Sequence, residues 1–248
     1  MFFPTDWNIV NILFYGVFGT FAVLLGFLDY FELWAMRYSK FQSGKGVPSR
    51  LGMFVLYFLP VITATVFALP YLGSASLTQW LVYGTVLVHF LKRTYEVLFV
   101  HKYSGSMQPL TFVVIVATYA LIAGMISALN VQAVASIDAL FVLGLVLFVV
   151  GQIGNFYHHK LLADLRKDGD GYHIPRGGWF EKATCPHYFF ELLAWLGIVL
   201  VSRHLFTLLA FIAMIGYLSG RSIKTRQWYQ KRFPDYPAER KNMIPFIF

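Results

Sequence analysis

Most of the side chains able to do chemistry lie between Gly151 and Glu191: Asn155, His158, His159, Arg166, Tyr172, Arg176, His187 and Glu191. Asn155 and His159 stand one helical turn apart. His187, Glu191 and Trp195 repeat at spacing four, so each set faces one side of a helix. Between the sets run Asp168-Gly169-Asp170-Gly171 and Arg176-Gly177-Gly178. Glycines let a backbone approach a phosphate closely, and arginines add bidentate contacts to its oxygens. An anionic ligand would suit this pattern, although composition alone favours an ordinary loop with turn residues. An imidazole and a carboxylate one turn inside an apolar helix need partners. A mutual His187–Glu191 hydrogen bond joining helices is the plain account of that pair; a functional role is preferred.

Two other stretches carry reactive groups. His89, Arg93 and Glu96 fall at i, i+4 and i+7 on one helical face. Arg93 either pairs internally with Glu96 or faces a phosphate, and the two readings weigh evenly. Near the C-terminus, Arg221, Lys224 and Trp228 alternate with Thr225 and Tyr229 at helical spacing. The outer face of that segment suits anionic lipid. Arg240, followed by Ile244 to Phe248, reads as a segment that packs back onto the protein. The seven histidines include no His-x-x-x-His, and the single cysteine, Cys185, excludes an intramolecular disulfide and a cysteine-rich metal site. No metal is expected. No glycine-rich GxGxxG follows a strand, so a dinucleotide would bind without a Rossmann domain.

The frame around these groups is hydrocarbon-like. Of 248 residues, 58% are hydrophobic and 13% charged, with a mean hydropathy of +0.61. This composition predicts an all-α integral membrane protein of one domain, 1–248. Seven apolar runs are long enough to span, near 8–28, 52–72, 78–99, 110–129, 137–157, 187–203 and 204–220. The last two are separated only by Arg203 and His204, as in a tight helical hairpin. Nineteen of the twenty Lys and Arg residues fall after the first, third, fifth and seventh runs when Lys92 and Arg93, near the end of the third, are counted with the connection that follows it. Positive connections stay in the cytoplasm, which predicts seven spans with the N-terminus outside and the C-terminus inside. The same alternation gathers Asn155, Arg166, His187, Glu191 and Tyr229 at the cytoplasmic face. The net charge of +8 therefore reflects membrane orientation and an anionic cofactor, not nucleic acid. The stretch MFFPTDWN lacks Lys and Arg, so the first run reads as a retained helix, not a signal peptide.

The stretch GNFYHHKLLADLRKDGDGYHIPRGGWFEKATCPHYFFELLAW and the ending KRFPDYPAERKNMIPFIF resemble the steroid 5-alpha-reductase family, which includes polyprenol reductase and the trans-2-enoyl-CoA reductases. The resemblance is strong over the last hundred residues, with 100–248 as the family's C-terminal region. It implies a seven-helix fold holding NADPH in a cytoplasm-facing cavity, with hydride transfer to the beta carbon of an activated C=C bond in a lipid. Positions matching the family's cofactor contacts are Asn155, His159, Arg166, His187, Glu191 and Tyr229. Arg93 and Tyr172 join them from the residue reading. Tyr229 and Glu191 are the expected catalytic residues, Tyr229 standing where the enoyl-CoA branch has its proposed acid. Here His159 replaces an acidic residue and His187 an asparagine. The steroid-reducing branch carries a Gln-Glu pair where this chain has Tyr57-Phe58, and a tyrosine where it has Phe90. That loss argues against 3-oxo-steroid reduction. The expected partners are a lipid substrate and the bilayer itself, in the endoplasmic reticulum of a eukaryote or the inner membrane of a bacterium. The rivals are an S-adenosylmethionine-dependent membrane methyltransferase, which the order Pro186-His187 fits poorly, and a non-catalytic lipid-binding member of the fold.

Overall fold

The seven apolar runs form seven α-helices: α1 (Ile9–Leu28), α2 (Ser49–Leu72), α3 (Leu77–Tyr95), α4 (Pro109–Leu129), α5 (Ala139–Asp164), α6 (Pro186–Ser202) and α7 (Leu205–Arg232). The computed structural model describes residues 6–28, 30–31, 45–132, 136–165 and 172–248. Arg166 and the stretch Asp168-Gly169-Asp170-Gly171 lie outside the described residues. Five of the helices, α1, α2, α4, α5 and α7, are long and apolar enough to cross a membrane. Polar residues interrupt α3, and α6 is 17 residues long. The chain is an all-α integral membrane protein.

Local sequence explains where the helices start. Ser76 and Gln79 form a reciprocal capping box at the head of α3. Pro109 and Pro186 open α4 and α6, where a missing N–H costs nothing. Two helices run further than hydropathy suggested. The fifth continues past 157 to Asp164, with Lys160 and Asp164 paired at i,i+4, 2.9 Å apart. The seventh continues past 220 to Arg232, so most of the basic tail is helix, its last turn carrying Lys231 and Arg232 against the dipole. Lys92 and Arg93, counted among the loop cations, sit in the last turn of α3 and face inward. Arg203, at φ 52°, turns α6 into α7; its N–H donates to Val199 O (2.7 Å) and its guanidinium pairs with Asp138, the N-cap of α5.

Helix directions follow from the contacts. Phe18 stacks on Phe206 (4.3 Å), and Gly26 and Gly216 meet Ala213 and Phe27, so α1 and α7 run parallel. Thr63 donates to Ala120 O (3.0 Å) and Gly124 packs on Phe67, making α2 and α4 parallel. Gly144, Gly151 and Asn155 meet Gly197, Ala194 and His187, making α5 and α6 antiparallel. Each pairing is the one that seven helices alternating in direction would give.

The α5–α6 contact brings two helix backbones together. A Cβ on Gly151 would lie 2.4 Å from Ala194 N, and one on Gly197 would lie 2.5 Å from Gly144 O. Small residues at such seams let helix backbones touch in a solvent that offers little drive for association. Gly151→Val is therefore expected to destabilise the protein by roughly 1–3 kcal/mol or more through overpacking. Thermal unfolding in detergent should show a lower midpoint; an unchanged midpoint would mean that the seam can open without cost.

Candidate functional site

Where the ends of α2, α3, α5, α6 and α7 meet, they enclose a cavity of about 300 Å³. Helical spacing turns one face of each helix toward it: Asn155 and His159 from α5, His187 and Glu191 from α6, Arg221, Thr225 and Tyr229 from α7. Tyr57 enters from α2, Arg93 from α3, and Lys102 and Tyr172 from the connections. The cavity thus brings together Arg93, Asn155, His159, Tyr172, His187, Glu191 and Tyr229 from the residues singled out in the sequence. Arg166 lies outside the described residues, although Leu165 and Tyr172, on either side of 166–171, both line the cavity.

One wall is an electrostatic cluster. At the end of α3 the chain makes a single π-helical turn, Glu96–Val100, a local widening common at functional sites. It buries the Glu96 carboxylate completely. Arg93 is ion-paired with it, Lys92 Nζ lies 3.3 Å away, and His159 Nδ1 is 3.0 Å from Oε2. Arg93 Nη1 also reaches His159 Nδ1 at 2.5 Å, and its Nη2 donates to the Tyr57 hydroxyl at 2.8 Å. Both alternatives for Arg93 are thus visible: it pairs with Glu96 and it faces the cavity. Glu96, His101 and His159 offer a metal-like donor set. The Arg93 guanidinium, in contact with two of its members, already supplies the neutralising cation.

A second wall is built of hydrogen bonds between helices. Lys92 donates to Asn155 Oδ1, and Asn155 Nδ2 donates to the His187 carbonyl (2.9 Å), which ties α3, α5 and α6 together. Buried His89 accepts at Nδ1 from Gln152 (2.9 Å), leaving its Nε2 to carry the proton, 3.3 Å from Glu191 Oε1. Glu191 is therefore partnered across helices, by His89. The adjacent histidines divide their roles. His158 turns away from the cavity, donating to Gly154 O (2.7 Å) and accepting from Trp179 N–H (3.1 Å). Sequence reasoning missed Lys92, Gln152 and the inward hydroxyl of Tyr57. Lys92 was legible from its place one turn before Glu96; Tyr57 had no polar neighbour in sequence to mark it.

Near the mouth, Tyr229 stacks on Tyr236 (5.4 Å), and Tyr172 meets Trp228 edge-on (4.9 Å). Arg240 is buried and donates to Pro175 O (2.9 Å), so the tail does pack back, although Phe246 and Ile247 are exposed. Glu181 accepts from Gly177 N–H (2.7 Å). That bond, reinforced by Arg240 and Arg176, holds its carboxyl below its ordinary value of 4.5. A depressed carboxyl stabilises the fold fully above the ordinary value and loses the contribution as pH falls through the lower folded value. Protection of the Gly177 amide against hydrogen exchange, corrected for intrinsic rate, should fall with acidification below about 4.5 and stay flat there in Glu181→Gln.

Beyond the Arg93–Glu96 pair, the cavity's cations Lys102 and Arg221 outnumber its carboxylate, Glu191, so its donor set fits an anionic, phosphate-bearing ligand. The wall itself makes a sharper prediction. Glu96→Gln leaves Arg93 and Lys92 buried without their counter-charge, and breaking a buried pair costs about 3–5 kcal/mol. Asp164→Ala, removing an exposed i,i+4 pair, should cost less than about 0.5 kcal/mol. Equal unfolding midpoints for the two variants would show that the Glu96 cluster is not what holds this wall.

The family model for 3-oxo-5-alpha-steroid 4-dehydrogenase matches residues 106–248. A steroid 5-alpha-reductase of Gossypium hirsutum is 43% identical over 110 residues, 44% of this chain and 43% of that protein. The 3-oxo-5-alpha-steroid 4-dehydrogenase 1 of Mus musculus is 33% identical over 224 residues, 85% of this chain and 86% of that protein. A polyprenal reductase of Xenopus laevis is 32% identical over 198 residues, 72% of this chain and 62% of that protein. The match thus spans less than half of the cotton protein and most of the mouse one.

Proposed function

The chain belongs to the steroid 5-alpha-reductase family, and from that membership we propose that it is an NADPH-dependent membrane reductase of an activated C=C bond in a lipid. The observation that carries the reading is the convergence of Asn155, His159, His187, Glu191 and Tyr229, drawn from three helices, on one cation-rich cavity. When bound, NADPH supplies a hydride for the beta carbon of an enone, enal or enoyl thioester. Lys102, Arg221 and Arg166 balance its phosphates, and Arg93, paired with Glu96, lines its site. Asn155, His159, His187, Glu191 and Tyr172 position it. Tyr229 hands a proton to the alpha carbon as the reduced bond is completed, and Glu191, through its contact with His89, anchors the polar wall against which the reacting groups sit. Within a single membrane domain, 1–248, the C-terminal region 100–248 provides most of this cavity.

Topology follows the same reading. Seven crossings, with the cavity open to the cytoplasm and the N-terminus outside, are supported by the alternating helix directions and by basic residues gathered at and beyond the C-terminal ends of the odd-numbered helices. The substrate is an acyl or isoprenoid lipid in preference to a 3-oxo-steroid, since Phe58 and Phe90 stand where steroid-reducing members carry their polarising groups. The membrane is the endoplasmic reticulum in a eukaryote and the inner membrane in a bacterium.

The test is thermal unfolding of detergent-purified protein with NADPH, NADH or S-adenosylmethionine, followed by NADPH oxidation with an enoyl thioester, a polyprenal and a 3-oxo-4-ene steroid. NADPH should stabilise by about 2.7 kcal/mol at a hundred times its dissociation constant. Arg166→Ala should weaken that binding by roughly 1.5–3 kcal/mol, a charge-assisted contact, whereas Tyr229→Phe should bind normally and turn over slowly. Stabilisation by S-adenosylmethionine alone would replace the reductase reading with a methyltransferase.

A further inference from the structure

The two positions at which steroid-reducing members polarise the substrate carbonyl offer nothing polar here. Phe58 is 38% exposed on the outer side of α2, stacked on Phe54. Phe90 is buried between Tyr119 and Trp195. A reductase of this class still needs a donor at the carbonyl oxygen, where negative charge develops as hydride adds to the beta carbon. We infer that Tyr57, held by Arg93, is that donor, a carbonyl-polarising residue of this chain's own. The inference rests on the reductase reading above.

Three observations support it. The Tyr57 side chain is buried and lines the cavity, one residue before the outward-facing Phe58. Its hydroxyl accepts from Arg93 Nη2 at 2.8 Å, and the guanidinium carbon lies 4.6 Å from its ring centroid. A hydroxyl that accepts from a cation donates through its own O–H, and a nearby positive charge strengthens that donation. Third, Tyr57 stands where polar space meets apolar space. A second, apolar cavity of about 130 Å³ lies between α1, α4 and α7. Ile115, Tyr119, Met214 and Tyr217 line both cavities, and the Tyr119 ring meets that of Tyr57 edge-on at 6.1 Å. A lipid whose chain occupies the apolar cavity brings its carbonyl to this junction.

The step balances as follows. Hydride released from the dihydronicotinamide of NADPH, leaving NADP+, would form the beta C–H bond; the C=C π pair becomes the π bond between alpha and carbonyl carbons while the C=O π pair moves onto oxygen, which Tyr57 holds by a hydrogen bond without losing its proton. The C=O bond then re-forms as the alpha-carbon π pair takes up a proton delivered at Tyr229 and replaced from solvent. One NADPH and one proton are consumed per bond reduced. Arg93 acts through Tyr57 and is a positioning residue in this step.

The experiment compares wild type, Tyr57→Phe and a protein with 3,5-difluorotyrosine at position 57, all full-length in detergent, using whichever C=C lipid the wild type reduces. Tyr57→Phe should keep its NADPH-induced stabilisation and lose about 10²–10³-fold in kcat, the usual effect of deleting one donor to a developing oxyanion. The difluorotyrosine protein, near-isosteric with wild type, should lower the pH at which the basic limb of kcat falls. Wild-type turnover with Tyr57→Phe within threefold of it would overturn the inference and leave the reductase reading intact. An unmoved basic limb in the difluorotyrosine protein would also overturn it, and decides the matter if Tyr57→Phe fails to fold. A wild type that binds no NADPH and reduces no lipid would instead sink the reading beneath it.

Discussion

The arrangement of this protein depends on burying one carboxylate. Glu96 sits in the π-helical turn that ends α3, with no exposed surface. A lone buried charge there would be several kcal/mol out of balance, so its surroundings must supply cations and donors. Arg93 and Lys92, one turn earlier on the same helix, do so. Each then has a second task. Lys92 holds Asn155, which holds the backbone of α6 at His187; Arg93 reaches His159 and the Tyr57 hydroxyl. A single charge requirement thereby fixes the faces that α2, α3, α5 and α6 present to the cavity.

Such a cluster works only if the helices bearing it are close and in register. Gly144, Gly151 and Gly197 remove the side chains that would hold α5 and α6 apart. The backbone of α6 can then approach Asn155 closely enough for its amide to reach the His187 carbonyl. Packing and electrostatics are coupled here. The glycine seam positions the partners, and the hydrogen bonds at its cavity end give the seam a direction that dispersion alone would not.

Much of this was legible from residue order. Apolar run length located all seven helices, because a bilayer's thickness sets a length that composition reveals. Helical spacing placed His187, Glu191 and Tyr229 on inward faces. The ends of α5 and α7 were not legible, since hydropathy reports contact with hydrocarbon, whereas a helix continues wherever its hydrogen bonds and terminal charges favour it. Charge counting also treated Lys92 and Arg93 as loop cations; only the fold shows that both face a buried acid. The partner of Glu191 was hidden for a related reason. His187 is near in sequence, but His89 comes to it across a different helix.

The local chemistry also gives a reason for a tyrosine, and not a carboxylic acid, on this part of α2. A carboxyl group beside the Arg93 guanidinium would ionise and become an acceptor only. It would then repel an oxygen gaining negative charge, and it would compete with Glu96 for the same cation. A phenol can accept from that cation and still donate through its own O–H. Once the α3 end is committed to an Arg93–Glu96–His159 cluster, a neutral hydroxyl is the polar group that can face a carbonyl from α2 without disturbing the charge balance. The outward rotation of Phe58 and the inward rotation of Tyr57 therefore belong to one electrostatic solution. The polarising group moves by one residue along α2 because the charge pattern on α3 leaves room for a dipole there and none for another anion.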